Sequence, residues 1–177
     1  MKIGVIGGGR VGGALAASWR AAGHDVTVAT RDTVGETAAG AEVVLLAVPA
    51  RAVPEALAAM GDLGGKILVD ATNNLSGGPD GSEIARLAGA ARTVKAFNTV
   101  FAQFFASPPA EPPSLVLAGD DAAAKEVVGG LVRDAGFDPI DAGDGRTTPD
   151  VEAFARLLIG IGYAQGHGPF VYRFASS

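Results

Sequence analysis

The chain has 177 residues, enough for one domain, with 14 basic against 19 acidic side chains and a formal charge of −5. It contains no cysteine, which excludes disulfides, thiolate nucleophiles, CxxC redox pairs and zinc–thiolate sites together. Two histidines are too few for a histidine-rich metal site, so no metal is expected, and the acidic balance argues against nucleic acid or an anionic membrane as partner.

Short β-branched runs alternate with helical stretches. Ile3–Ile6 reads as a strand, followed by a helix from about Val11 to Ala22 whose Val11, Leu15, Trp19 and Ala22 share one face. Gly23 closes it. Val26–Ala29 and Val43–Val48 are the next strands, the latter apolar without alternation, as in a parallel strand covered on both faces. Ala52–Met60 reads as helix, Lys66–Asp70 as strand, Ser82–Ala88 as helix and Thr93–Phe97 as strand. The prolines between Ser107 and Pro113 exclude helix or central strand there. Leu115–Ala118, a helix capped by Asp120 or Asp121 running to Asp134, and Phe137–Ile140 form another βαβ unit. The last helix takes Thr148 as N-cap, Pro149 at its first position and Asp150 in its first turn.

Repeated βα units imply the α/β class, a Rossmann-type doubly wound, mainly parallel sheet with right-handed crossovers. The expected organisation is a single domain over 1–177, with 143–177 as a short helical and strand extension. The longest apolar run, Val43 to Ala50, is broken by a proline and falls far short of the roughly 20 residues of a membrane helix. Met1-Lys2 leads straight into the first strand, too short for a signal-peptide core. The expectation is a cytoplasmic protein.

Gly7-Gly8-Gly9-Arg10-Val11-Gly12 fits GxGxxG. With 26 glycines in the chain, its weight comes from context, because it leaves a first strand and opens an amphipathic helix. Gly7 permits the tight turn, Gly9 lets backbone approach a pyrophosphate, and Gly12 lets helix and strand pack closely. The helix N-terminus then offers unpaired N–H groups to phosphate. The plain alternative is a glycine-rich turn in a flavodoxin-like sheet. At the end of the second strand, where NAD-binding chains carry Asp or Glu, this chain has Ala29-Thr30-Arg31-Asp32. A hydroxyl and a guanidinium suit a 2′-phosphate, which favours NADP(H) over NAD. Asp32 stands against this, as a partner for a ribose hydroxyl or for Arg31.

Six segments occur in a familiar order: the glycine motif, Thr30-Arg31, Leu46-Ala47-Val48-Pro49, Asp70-Ala71-Thr72-Asn73, Lys95-Ala96-Phe97-Asn98-Thr99 and Ala118-Gly119-Asp120-Asp121. Together they resemble the deazaflavin (coenzyme F-420)-dependent NADP oxidoreductases, with the NADPH-binding domain of the six-transmembrane ferric reductases as a relative. The resemblance implies hydride exchange between NADP and a deazaflavin ring. It implies that Gly8, Gly9, Arg10 and Val11 hold the pyrophosphate, and Thr30 and Arg31 the 2′-phosphate. Val48 and Pro49, beside Ala47, would flank the adenosine, with Thr72 and Asn73 also on the cofactor. Asn98, Val100 and Ala102 would lie near the nicotinamide and the acceptor. One departure stands out: the deazaflavin enzymes it resembles carry histidine where this chain has Asn98, which leaves the acceptor, F-420, FMN or FAD, open.

Hydride transfer to a flavin-like ring needs two stacked rings and little else, whereas an alcohol dehydrogenase needs an acid–base group beside the nicotinamide. None is evident. His24 lies in a turn remote from the strand carboxyl ends and reads as structural. His167 sits in a Gly-His-Gly-Pro turn and reads as an ordinary loop residue before a substrate ligand. Lys95, inside a strand, is either a buried functional amine or a snorkelling edge residue, and the second is the plainer reading. The segment Asn73 to Gly78, Ser76 included, either lines the site or is an ordinary loop. The proline stretch reads as a surface loop or semi-rigid lid before an SH3-type ligand. The last helix, apolar nearly all round at Leu157–Gly162, has either core burial or a homodimer interface as its reason.

The expected function is therefore an NADPH-dependent oxidoreductase with a flavin or deazaflavin acceptor. The competing readings are a non-catalytic NADP(H) redox sensor and, ranked below both, a pyrroline-carboxylate-reductase-like imine reductase.

Overall fold

Five parallel strands, β1 (Lys2–Ile6), β2 (Asp25–Val28), β3 (Val43–Leu46), β4 (Ile67–Asp70) and β5 (Arg92–Lys95), lie in the order β2-β1-β3-β4-β5. They belong to a computed structural model that describes residues 1–75 and 77–175; Ser76, in the expected site-lining segment, and residues 176 and 177 lie outside it. β6 (Ser114–Leu117) and β7 (Asp138–Asp141) form a parallel pair. It joins the main sheet through one antiparallel bridge, Lys95 to Ala118, with bonds of 2.8 and 3.0 Å in the two directions. The sheet is thus the expected mainly parallel, doubly wound one. Pro139 is tolerated in β7 because that strand pairs on one side only.

The strands of the centre, β3 and β4, are buried along their whole length, which explains their lack of alternation. α1 (Arg10–Ala21) packs Leu15, Ala16 and Trp19 on one face of the sheet, Ala16 completing the stripe in place of the exposed Ala22. Trp19, Phe97, Phe105 and Phe137 form a chain of edge-on aromatic contacts at 5.3 to 5.9 Å. The other face is covered by α2 (Val34–Gly40), α3 (Val53–Met60) and α4 (Gly81–Leu87), with Ala38, Val53, Leu57 and Ile84 buried. The sequence pattern shows no α2, since two glycines and a threonine weaken its helix propensity. Its close packing on β1 decides it: a Cβ at Gly4 would lie 3.0 Å from the Thr37 carbonyl.

After α5 (Gln103–Ala106), also unpredicted, and α6 (Ala122–Asp134), the chain ends in α7 (Thr148–Ile159) and a π-helical turn over Gly160–Ala164. Asp121, not Asp120, caps α6, its carboxylate accepting the Ala124 N–H at 2.9 Å. Thr147, not Thr148, is the N-cap of α7, because a 3-10 turn at Gly145–Thr147 brings the helix in one residue early. Two strands end two residues short of expectation. β3 stops at Leu46, and β5 stops at Lys95 because Phe97 takes a left-handed φ of 66° that no ladder accommodates.

Candidate functional site

β1 sits between β2 and β3, so the chain leaves its carboxyl end for opposite faces, and a crevice opens there. The glycine motif turns over this crevice. Gly7 has φ +107°, and a Cβ on it would meet the Ala47 carbonyl at 2.4 Å. At Gly12 a Cβ would lie 2.0 Å from the Gly7 carbonyl. Both are therefore required by the turn and by the approach of α1 to β1. Gly9 differs. Its φ of −71° suits any residue, and a Cβ there meets nothing within 4 Å. It is the N-cap of α1, and no side chain caps that helix, so its first N–H groups point out uncapped beside the exposed Arg10.

A cleft of about 590 Å³ runs from Gly7 and Gly8 past Thr30 and Arg31 to Val48. Thr30 caps a 3-10 turn over Arg31–Thr33, its backbone N–H donating to Thr33 Oγ1 at 2.9 Å and the two hydroxyls lying 3.0 Å apart. Among the described residues Arg31 has no carboxylate within 4.0 Å, so the pairing with Asp32 considered above does not form. Sequence reasoning passed over the far wall, Val34 with Ala52, Ala56 and Ala59 of the α3 segment. Small residues three to four apart on a helix were the available signal. Pro49 is exposed beside this wall, Ala47 half-buried.

The second cluster lies where β4 and β5 end. Asn98, 5% exposed, donates from Nδ2 to Asn73 Oδ1 at 3.1 Å, and Asn73 Nδ2 donates to the Asn98 carbonyl at 2.9 Å. Asn98 Oδ1 is buried with no partner. Thr72 turns inward, its N–H and hydroxyl both donating to Asp70 Oδ1, at 2.9 and 2.7 Å. Lys95 is not a snorkelling edge residue. It is buried, donating from Nζ to Asp70 Oδ2, Glu152 Oε1 and the Thr72 carbonyl at 2.7 to 2.9 Å. The reason is tertiary: α7 brings Glu152 over a strand end that would otherwise be wet. Val100 packs against the core and Ala102 is half-buried at the start of α5. The Thr99 and Tyr172 hydroxyls lie 2.7 Å apart, and burial pushes the Tyr172 phenol above its ordinary value.

His24 pairs with Asp134 at 2.9 Å, at the amino end of β2, away from the strand carboxyl ends. His167 is exposed in the turn after the π-helical segment. Leu158 is buried while Leu157 is 58% exposed, so α7 has one covered face and one large apolar residue in the open. Among the described residues no helix is long and apolar enough to cross a membrane, and no three His, Asp or Glu side chains group as metal ligands.

The sequence pattern of the family described as NADP oxidoreductase coenzyme F420-dependent matches residues 2–37 and 30–74. A solved candidate F420-dependent NADP-reductase from Arthrobacter sp. FB24 shares 32% identity with a TM-score of 0.89, over 99% of this chain and all of that one. The chain belongs to the coenzyme F420-dependent NADP oxidoreductase family. Metalloreductase STEAP3 of Rattus norvegicus is 30% identical over 89% of this chain, which spans only 37% of that relative's length. A reductive aminase from Aspergillus terreus, solved with NADPH and ethyl levulinate, shares the fold at 21% identity and a TM-score of 0.71, over 93% of this chain and 62% of its own.

Proposed function

We propose that this member of the family passes hydride between NADPH and a flavin or deazaflavin (F-420-like) acceptor, on a single cytoplasmic domain. The observation that carries the cofactor reading is Gly9. Neither its backbone angle nor any neighbour in the chain requires glycine, so the space above it is what a bound pyrophosphate would use. The uncapped N–H groups of α1 then bind phosphate, and Arg31, with no carboxylate partner among the described residues, binds a 2′-phosphate from the rim of the cleft. Gly8, Val11, Val48, Pro49 and Asn73 complete the dinucleotide side, and Asn98, Val100 and Ala102 the acceptor side.

When bound, NADPH supplies the hydride from its reduced nicotinamide ring. The chain's contribution is orientation. At the strand ends Lys95 has each of its three N–H groups on an acceptor, and Thr72 donates inward, so neither has a proton to offer a substrate. What remains there, beside the Thr99 and Tyr172 hydroxyls that bond one another, is a pair of neutral carboxamides, which orient a ring and do not exchange protons. That favours an acceptor that needs stacking only. Asn98 Oδ1, buried and unpartnered, is an acceptor for an N–H of a nicotinamide carboxamide or a lactam. The reading includes a homodimer, supported by the exposed Leu157 and tested by sedimentation velocity.

Calorimetric titration tests the cofactor and NADPH oxidation in the presence of FMN, FAD or deazaflavin tests the acceptor. The expected result is binding of NADPH at least about tenfold tighter than NADH, or 1.4 kcal/mol, lost in Arg31→Ala, with turnover on one of the rings. Equal NADH binding overturns the 2′-phosphate assignment. Binding with no turnover on any ring leaves a nucleotide sensor.

A further inference from the structure

Three charged side chains lie buried beneath the strand ends in one hydrogen-bonded cluster for which the reading above has no task. Lys95 Nζ donates to Asp70 Oδ2 at 2.9 Å, to Glu152 Oε1 at 2.8 Å and to the Thr72 carbonyl at 2.7 Å. Glu152 Oε1 also accepts the Gly81 N–H at 2.8 Å, which fixes the first residue of α4. Asp70 Oδ1 holds the N–H and hydroxyl of Thr72. One ammonium therefore joins β4, β5 and α7, and through Glu152 reaches α4, at a point immediately before Asn73 and three residues before Asn98. The packing around it is close enough that a Cβ at Gly81 would lie 2.2 Å from Thr148 Cγ2.

Such a cluster is a poor source of stability, because desolvating the charges offsets most of their attraction and apolar residues of equal volume would fill the core as well. What it provides is a fixed register. The backbone gives an independent sign that the register is imposed. Phe97, between Lys95 and Asn98, holds a left-handed φ of 66°. Strain of that kind persists only where the surroundings over-determine it. Here the Phe97 ring is clamped by Trp19 and Phe105 and the strand before it is tied down by Lys95.

We infer that Lys95 and Glu152 are positioning residues for the nicotinamide end of the cofactor. Through Asp70 and Thr72 they set the turn that presents Asn73 to Asn98, without touching the ligand. The inference rests on the NADPH reading, and the test separates the two. In wild type, Lys95→Met, Glu152→Ala and Glu152→Gln, the measurements are thermal midpoint, calorimetric affinity for 2′,5′-ADP and for NADPH, and the emission of bound NADPH, which rises when the ring is immobilised. Both affinities should stay within about threefold of wild type, since the adenosine end carries them. The emission rise should fall by at least about half in Lys95→Met and Glu152→Ala, and return in Glu152→Gln, which keeps the acceptor oxygen. Glu152→Asp retains the charge but shortens the reach, and it carries the test if the first two do not fold; it should lose the emission rise as they do.

A full emission rise in folded Lys95→Met and Glu152→Ala, or in Glu152→Asp where they do not fold, overturns the inference. So does loss of both affinities in step with the thermal midpoint, or a wild type that binds NADPH with no change in emission. A wild type that binds neither ligand overturns the cofactor reading, and this inference with it.

Discussion

Asn73 and Asn98 hold each other across the ends of β4 and β5, side chain to side chain at 3.1 Å and side chain to backbone at 2.9 Å. The exchange satisfies three of the four side-chain polar groups and strands the last, Asn98 Oδ1. A buried acceptor left without a donor costs about 1–3 kcal/mol, which a ligand N–H would recover under the function proposed for this site.

Asn98→Ala should lower the rate of acceptor reduction by about tenfold while NADPH affinity stays within a few-fold, because the contact aligns rings and the adenosine end anchors the nucleotide. No ionisation should enter or leave the pH–rate profile. Asn98→His, which installs the residue implied by the resemblance to the deazaflavin enzymes, should improve deazaflavin turnover if that ring is the acceptor. Stopped-flow oxidation of NADPH by the three proteins is the check, and an unchanged rate in Asn98→Ala would move the acceptor pocket elsewhere.

Two glycines of one motif should fail in different ways. A side chain at Gly9 meets nothing in the protein, so Gly9→Val should keep its fold and thermal midpoint and lose dinucleotide binding. At Gly12 a single methyl meets the Gly7 carbonyl at 2.0 Å, so Gly12→Ala should lose stability, by about 1–3 kcal/mol or more. Calorimetry and thermal melts of the two variants decide it. Retained NADPH binding in folded Gly9→Val would make the loop purely structural.

Phe97→Gly sets two effects against each other. Removing the ring empties a place between Trp19 and Phe105, a loss of about 3–5 kcal/mol, while glycine relieves about 1–3 kcal/mol of left-handed strain. The loss wins, and the thermal midpoint should fall by roughly 4–8 °C for a net of about 2 kcal/mol. A midpoint equal to or above wild type would mean that the strain, not the packing, dominates there.

Tyr172 should make the fold sensitive to alkali. Burial holds its phenol above the ordinary value of 10.0, against the lowering effect of the Thr99 contact. The folded state therefore favours the neutral form. This contribution is fully present below the unfolded pKa and is lost as pH rises through the folded one. Urea midpoints measured at pH 8 and at successive values above 10 should decline more steeply in wild type than in Tyr172→Phe. Parallel declines would assign the alkaline loss to other groups.

What the sequence determined by itself was local. The glycine motif between a strand and an amphipathic helix, the unalternating apolar run of β3, and Arg31 where an acidic residue usually stands could all be read within a dozen residues. Those signals rest on helical and extended periodicity and on turn stereochemistry, which act between near neighbours. The tertiary structure decided what joins distant segments. Asn73 and Asn98 are 25 residues apart and meet because β4 and β5 run in parallel register. Lys95 reads as an edge residue until Glu152, 57 residues on, arrives on α7 to bury it. α2 lacks helix propensity of its own and forms because Gly4 lets it lie against β1. In each case the deciding energy is the desolvation of a polar or weakly helical group against a partner far along the chain, and no window of sequence contains both.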